Sequence, residues 1–222
     1  MTVRKKKTGV LKPSGRGARL NRTQKGKQIA AIRKKQITGA AYEVIAEKGY
    51  YNFTMMDIAR RAGVSSGLIH HYFKDKENML VTLLREMQQN IRTSLEKTIE
   101  HVPEPAKKLD IFMDQAFDLV IKEREYVYVT YDFMTQIKFN ERMQRILSKL
   151  YRGYRETLES ILKEGKQKKK FKDVDEHYLS TVFIAILLGF EQQYILDNSA
   201  FDYRAYTKHI KDYMFAQVLI KK

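Results

Sequence analysis

The sequence predicts an all-α protein of about nine helices. Apolar residues recur three and four positions apart along most of the chain between Ile32 and Val218, which is the spacing of one helix face. Capping residues, glycines and prolines separate these stretches. Residues 126–139 are rich in β-branched and aromatic types, as strands are. However, several of their apolar residues share one helical face and no partner strand occurs elsewhere, so we expect a helix there too.

The composition fits a folded chain of one domain with a small appendage, or of two small domains. The chain has 222 residues, 43% of them hydrophobic, and no cysteine. A disulfide framework, a zinc–thiolate site and a cysteine nucleophile are therefore excluded. The longest apolar run, residues 182–188, is far short of the roughly 20 residues that cross a bilayer. The N-terminus lacks the apolar region of a secretory signal. These features predict a cytoplasmic protein without a membrane partner.

The positive charge is concentrated at the N-terminus. The net charge is +16, and residues 1–35 hold 13 of the 42 Lys and Arg residues with no Asp or Glu. Residues 1–28 are also poor in apolar residues, so we expect a disordered basic arm. Such an arm can bind the phosphates of a nucleic acid, and each neutralised phosphate steepens the log–log salt dependence by about 0.9. The alternative is a solvated tail that only aids solubility.

The first predicted helix begins near Ile29 and ends at Gly49, and two short helices follow. Thr54 and Asp57 have the spacing of a capping box at the start of the second helix. Gly63 can end that helix in a left-handed conformation, and Ser65 or Ser66 can cap the third. The apolar residues of these two helices are Ile58, Ala59 and Ala62, then Leu68, Ile69, Tyr72 and Phe73.

Two short helices joined by a tight turn with glycine form a helix-turn-helix, whose second helix enters the major groove of DNA. The alternative is a hairpin of the same shape that serves only for packing. The turn, both caps and the basic flank together favour DNA binding.

Residues 33–80 resemble the DNA-binding domain of the TetR family of bacterial regulators. The matching residues are Thr54, Asp57, Ile58, Ala59, Ala62, Gly63, Val64, Ser65, Gly67, His71, Tyr72, Phe73, Lys76, Glu77 and Leu80. The chain departs from the family at His70, where Tyr is usual, and at Leu68, where Thr is common. Residues 151–202 are loosely similar to the choline-responsive BetI-type branch of the family.

The residues expected to contact DNA lie at the start of the third helix and around it. Ser66, Gly67 and Leu68 are placed to meet base edges and backbone, and Leu68 can contact a thymine methyl group. Gly67 permits a close approach. The remaining candidates, which can cap a helix or donate to phosphate, are Thr54, Ser65, His70, His71, Tyr72 and Lys76.

Six further helices are predicted after residue 75. They cover about residues 75–100, 104–120, 126–139, 146–165, 175–196 and 203–219. Asp75 can cap the first of them, and Gly165 is expected to close the fourth ahead of a basic loop at 166–172. Residues 182–190 are apolar nearly all round, so their helix should be buried on more than one side.

The resemblance implies the remaining organisation. Residues 29–80 would bind DNA, and residues 81–222 would bind an effector and dimerise through the last two helices. A homodimer presents two recognition helices about 34–36 Å apart to a palindromic operator on double-stranded DNA. A small molecule bound among the middle helices would move the helix that starts near Asp75 and release the operator, since repression is the usual behaviour of the family.

Candidate residues for the effector pocket are the large apolar and aromatic residues of the middle helices. They are Met87, Ile91, Phe112, Phe117, Tyr131, Met134, Tyr154, Phe183 and Leu187. The alternative for each is ordinary core packing. Because these helices carry few charges on this face, we expect an apolar or amphipathic effector, and no cofactor.

An enzyme and an architectural DNA-binding protein are the two alternative classes. An enzyme is not expected, because the chain has no metal-binding HExxH spacing, no glycine-rich phosphate loop after a strand and no serine elbow. His70 and His71 point about 100° apart on a helix, so they do not make a metal site. The second class is an architectural protein that binds any duplex through the basic arm.

Overall fold

The computed structural model describes residues 15–135, 138 and 140–220, and the side chains of all of these except 15–24, 50 and 125. This part of the chain folds into nine helices joined by short loops. They are α1 (Gly15–Asn52), α2 (Met55–Ala62), α3 (Ser66–Tyr72), α4 (Lys76–Ile99), α5 (Pro105–Lys122), α6 (Arg124–Met134), α7 (Glu141–Gln167), α8 (Glu176–Leu196) and α9 (Tyr203–Val218). The prediction of an all-α protein of about nine helices is confirmed.

The basic arm is shorter than predicted, because α1 begins at Gly15 rather than near Ile29. Residues 1–14 lie outside the described residues. After Pro13 the chain contains no proline up to residue 52 and is rich in good helix formers. Extending an existing helix costs far less free energy than nucleating one. Among residues 25–36 of α1 no residue is buried, and the first buried residue described in this helix is Ile37.

The helical backbone of α1 is interrupted at Gly49, as predicted. Gly49 has φ +76° and ψ 165°, a conformation that residues with a Cβ rarely adopt. The chain turns here toward Phe53, which is buried in the core formed by α1–α4. This turn sets the angle between α1 and the helix-turn-helix.

Two hydrophobic cores run through the molecule. The N-terminal core contains residues of α1–α4 together with Val129 and Phe133 of α6 and the first half of α7. The C-terminal core contains the end of α4, α5, the start of α6, the second half of α7, α8 and α9. The predicted division after residue 80 falls inside α4, which contributes to both cores. The assignment of separate domains therefore stays a prediction.

Residues 124–134 form a helix, so the helical interpretation of the aromatic and β-branched segment is confirmed for this part. Tyr126, Val127, Val129 and Phe133 are buried. Ile137, an apolar residue of the same segment, lies outside the described residues.

Gly165 does not close α7, which continues to Gln167. It is a buried helical glycine, and a Cβ at this position would overlap the ring of Phe171. The main-chain N–H groups of Lys170 and Phe171 both donate to the Gly165 carbonyl. Phe171 also forms an isolated bridge with Leu219, so this glycine allows the loop after α7 to join the end of α9.

Helix α8 is the one described helix long and apolar enough to cross a membrane, with a mean hydropathy of 1.5 over its best 18 residues. Core helices of globular proteins meet the same criterion. Here Phe183, Ile184, Leu187 and Phe190 of α8 are buried in the C-terminal core.

Candidate nucleic-acid interface and ligand cavity

The capping box at the start of α2 is present. The Thr54 hydroxyl accepts from the Asp57 N–H at 3.1 Å, and the Asp57 carboxylate accepts from the Thr54 N–H at 2.9 Å and from its hydroxyl at 2.8 Å. Lys48 of α1 lies 2.7 Å from the same carboxylate. The hydrogen bonds from Lys48 and Thr54 lower the pKa of Asp57 to about 2. Thr54 is exposed, but in this structure its hydroxyl proton is donated to Asp57 rather than outward.

The turn between α2 and α3 has the predicted geometry. Gly63 adopts φ +63° and ψ 36°, and its N–H caps the last carbonyls of α2. Gln36 of α1 donates to the Ala62 carbonyl at 2.8 Å. Arg61 pairs with Glu43 and Glu47 of α1. The helix-turn-helix is thus held against α1 by polar contacts as well as by apolar packing.

Helix α3 has one buried face and one open face. Of the two candidate serines, Ser65 is the cap, since its hydroxyl accepts from the Leu68 N–H at 3.2 Å. Ile69 and Phe73 are fully buried. The open face carries the other residues proposed to meet DNA, of which Gly67, His70 and His71 are exposed and Ser66, Leu68 and Tyr72 are half-buried. Their contacts with DNA remain a prediction.

Gly67 stands in open space. No atom of the described chain lies within 4 Å of the position that a Cβ would occupy there, and the residue is within a regular helix. The fold therefore gives no reason for glycine at this position. A second molecule that packs closely against the start of α3 would explain the glycine, because a side chain there would be in its way.

Lys76 makes internal contacts that its assignment as a phosphate ligand did not anticipate. Its ammonium donates to the carbonyls of Tyr51 and Phe53 at 3.3 and 3.2 Å and lies 4.0 Å from the centre of the Phe53 ring. Burial lowers its pKa. Two of its three N–H donors thus fix the first turn of α4 to the chain before α2. A motif in the sequence cannot show this, because the carbonyls involved lie 23 and 25 residues away.

A cavity of about 60 Å³ lies among α4, α5, α6, α7 and α8. Six of the nine residues predicted for the effector pocket line it: Ile91, Phe112, Tyr131, Met134, Tyr154 and Leu187. The other three do not. Met87 packs between the two cores, and the rings of Phe117 and Phe183 contact each other edge to face within the C-terminal core. Helical spacing identifies the inward face of a helix but cannot separate a cavity wall from solid core.

The polar wall of this cavity was not predicted from the sequence. Glu191 of α8 lines it and is only 7% exposed, and no hydrogen bond or ion pair reaches its carboxyl group from the described chain. Burial raises its pKa to about 8. The sequence does single out this carboxyl group, because Glu191 is the one charged residue between Leu179 and Leu196.

Tyrosines face this carboxyl group. Tyr126, Tyr151 and Tyr154 line the cavity, and burial raises the pKa of each hydroxyl. The hydroxyls of Tyr126 and Tyr154 are close enough to affect each other's pKa, yet within the described chain neither has a partner in good hydrogen-bond geometry. Such groups are costly unless something completes their hydrogen bonds.

Two family profiles match the chain. The profile described as bacterial regulatory proteins, tetR family, matches residues 37–83. The profile described as BetI-type transcriptional repressor, C-terminal, matches residues 105–218, which is just over half of the chain.

Curated relatives and solved structures agree with these profiles. The fatty acid metabolism regulator protein of Bacillus subtilis is 33% identical over 138 residues, which are 62% of this chain and 70% of the relative. The regulator BetI of Escherichia coli is 36% identical over 92 residues, which are 40% of this chain and 47% of that relative.

Among solved structures, B. subtilis FadR in complex with stearoyl-CoA has a TM-score of 0.71 and 26% identity, covering 81% of this chain and 96% of its own. A transcriptional regulator from Saccharomonospora viridis in complex with choline has a TM-score of 0.78, covering 86% of this chain and all of its own. At 19% identity it is evidence for the fold alone.

Proposed function

The chain belongs to the TetR family of DNA-binding transcriptional regulators, and on that premise we propose that it is a cytoplasmic repressor released from a palindromic operator by a small amphipathic effector. The observation that carries the proposal is the open face of α3. Helix α3 is capped at its start and packs one face in the core, whereas Gly67, His70 and His71 on its other face are exposed to solvent.

A homodimer through α8 and α9 is supported by apolar side chains that the single chain leaves exposed. Tyr178 and Leu196 of α8 are 66% and 78% exposed, and Tyr206 and Tyr213 of α9 are 52% and 54% exposed. Within the apolar stretch of α8, Ala185 is exposed as well. A second copy packed on these helices would bury them and present two recognition helices to a palindrome.

The cavity supports a small effector, because helices α4, α6 and α7 line it and also contribute to the N-terminal core. Helix α6 lines it with Tyr126, Tyr131 and Met134, while Val129 and Phe133 of the same helix pack in the N-terminal core with α1–α4. Helix α4 also reaches both regions. A ligand that prefers one arrangement of these helices would shift the positions of the two DNA-binding heads. The solved relative bound to stearoyl-CoA favours an amphipathic ligand.

The test is selection of the full chain on a randomised duplex library at about 150 mM salt, close to the physiological value. We expect enrichment of one approximate palindrome, because a dimer reads two half-sites related by its two-fold axis. Tight binding without enrichment of any sequence would contradict the proposal and favour the architectural alternative.

The positive charge of residues 1–35 favours the architectural alternative. The contribution of this segment to DNA binding is therefore tested by removing most of it. Removal of residues 1–27, which leaves the buried residues of α1 from Ile37 onward in place, should weaken binding to all duplexes alike. It should also lower the log–log salt slope by about 0.9 for each phosphate lost. The preference for the operator over random DNA, about 10³-fold or more for a specific regulator, should persist. Loss of that preference with general affinity intact would assign sequence reading to the arm.

Gly67→Ala should raise the stability of the free protein and lower its affinity for the operator. Because the position is helical and its surroundings are open, alanine should stabilise the free protein by up to about 1 kcal/mol. The same methyl group would lie between α3 and DNA, so we expect at least a tenfold loss of operator affinity, measured by fluorescence anisotropy. Unchanged affinity would show that DNA does not approach this position.

A further inference from the structure

Glu191 is a buried carboxyl group without a counter-charge. The titratable groups that face it are tyrosine hydroxyls, namely those of Tyr126 and Tyr131 on α6, Tyr151 and Tyr154 on α7, and Tyr203 on α9. The residues of α4 and α5 that line the cavity carry no charge. No Lys, Arg or His of the described chain perturbs the titration of Glu191. A carboxylate in this environment lacks both water and a cation, so the protonated form is favoured.

The cavity can accommodate an ionised Glu191 only if water reaches the carboxylate. The space of about 60 Å³ lies between aliphatic and aromatic walls. The hydroxyls of Tyr126 and Tyr154 also lack hydrogen-bond partners in good geometry within the described chain. Entry of water would stabilise the carboxylate and complete the hydrogen bonds of both tyrosines. Ionisation therefore favours an arrangement in which the helices around the cavity separate and admit solvent.

Helices that surround the carboxyl group also reach the DNA-binding part of the molecule. Tyr131 of α6 lines the cavity, whereas Val129 and Phe133 of the same helix pack in the N-terminal core. Helix α7 lines the cavity as well, and at its start Arg142 lies 3.4 Å from Glu77 in the first turn of α4. A change in the spacing of these helices would therefore shift the helix-turn-helix that packs against them.

We propose that Glu191 makes operator binding dependent on pH: with its proton the cavity stays closed and the dimer binds the operator, and without it the cavity opens to water and the operator is released. The inference rests on the proposed function, since it adds a form of regulation to the same cavity. The proton is the ligand here, and it shifts the equilibrium because it binds the closed arrangement more tightly than the open one.

The direction of the pH dependence follows from the two arrangements. In the closed cavity burial raises the pKa of Glu191 to about 8, whereas a hydrated carboxyl group has its ordinary value of 4.5. Between these values only the closed arrangement holds the proton, so each pH unit shifts the equilibrium up to about tenfold towards the open one. Above pH 8 neither arrangement holds it. The five facing tyrosines stay neutral throughout, because the pKa of each is raised.

The experiment compares the wild type with Glu191→Gln between pH 6.5 and 8.5, using the full chain and the palindrome enriched from the duplex library. Glutamine does not titrate, and every other titrating group acts on both proteins alike. We expect the operator affinity of the wild type, relative to the variant, to fall at least tenfold up to pH 8 and then to stay constant. Glu100→Gln, the same change at an exposed position, should behave as the wild type. A ratio that does not change with pH would overturn the inference.

Hydrogen exchange of the wild type without DNA is a second measurement, which needs neither an operator nor a variant. After correction for the intrinsic effect of pH on exchange, the amides of α8 around Glu191 should exchange at least tenfold faster at pH 8 than at pH 6.5. The amides of α2 are the internal reference. An equal increase in α2 would mean that the whole chain unfolds rather than that the cavity opens, and it would overturn the inference.

The two measurements separate this inference from the proposed function. Specific operator binding without pH-dependent exchange in α8 would overturn the inference and leave the regulator intact. Absence of a specific operator would overturn the regulator, and hydrogen exchange would then still decide whether ionisation of Glu191 opens the cavity.

Discussion

Replacing Gly165 by alanine is expected to destabilise the protein by about 3 kcal/mol or more, because overpacking a core forces side chains and backbone apart. The new methyl group would occupy the place of the Phe171 ring, which is only 3% exposed and is part of the C-terminal core. Displacing Phe171 would also disturb its bridge to Leu219 and the hydrogen bond from the Lys172 N–H to the Val218 carbonyl. Urea unfolding at fixed protein concentration measures the loss.

Gly153→Ala is the matched control in the same helix. Gly153 lies in the middle of α7, and beyond its neighbours and its own helix backbone no atom of the described residues lies within 4 Å of its missing Cβ. Alanine there should stabilise the protein by up to about 1 kcal/mol through helix propensity alone. Equal effects of the two substitutions would contradict the view that Gly165 is required by the packing of Phe171.

The second large effect is a pH dependence of stability that comes from Glu191. Burial raises the pKa of this carboxyl group in the folded protein to about 8, against 4.5 in the unfolded chain. Below pH 4.5 both states hold the proton, and above pH 8 neither does. Between these values only the folded state holds it, so the free energy of unfolding falls as pH rises, by up to about 1.4 kcal/mol per pH unit.

Comparison with Glu191→Gln isolates this contribution, because glutamine does not titrate. The stability of the wild type relative to the variant should decrease by several kcal/mol between pH 4.5 and pH 8 and then stay constant. Urea unfolding across this range measures it, with Glu100→Gln as an exposed control. A difference that does not change with pH would mean that the carboxyl group is ionised in the folded protein throughout.

The helix-turn-helix was predictable from the sequence because its signals are local. Thr54 and Asp57 lie three residues apart, and the capping box that they form needs no other part of the chain. Gly63 is required by a backbone conformation that few other residues adopt, and Ser65 caps the helix that follows it directly. The wider fold followed from helical spacing, which also resolved the aromatic segment of α6 as a helix.

The sequence by itself therefore determined the nine helices, the family and the open face of α3, because hydrogen bonds and faces within single helices carry that information. The tertiary structure alone decided which inward residues surround a cavity and which pack solidly, as Tyr154 and Phe183 show. It also decided that Gly165 makes room for Phe171, that Lys76 is held by distant carbonyls and that Glu191 is buried without a partner. Each of these features depends on whether segments far apart in the chain contact each other. A local sequence pattern does not encode such contacts.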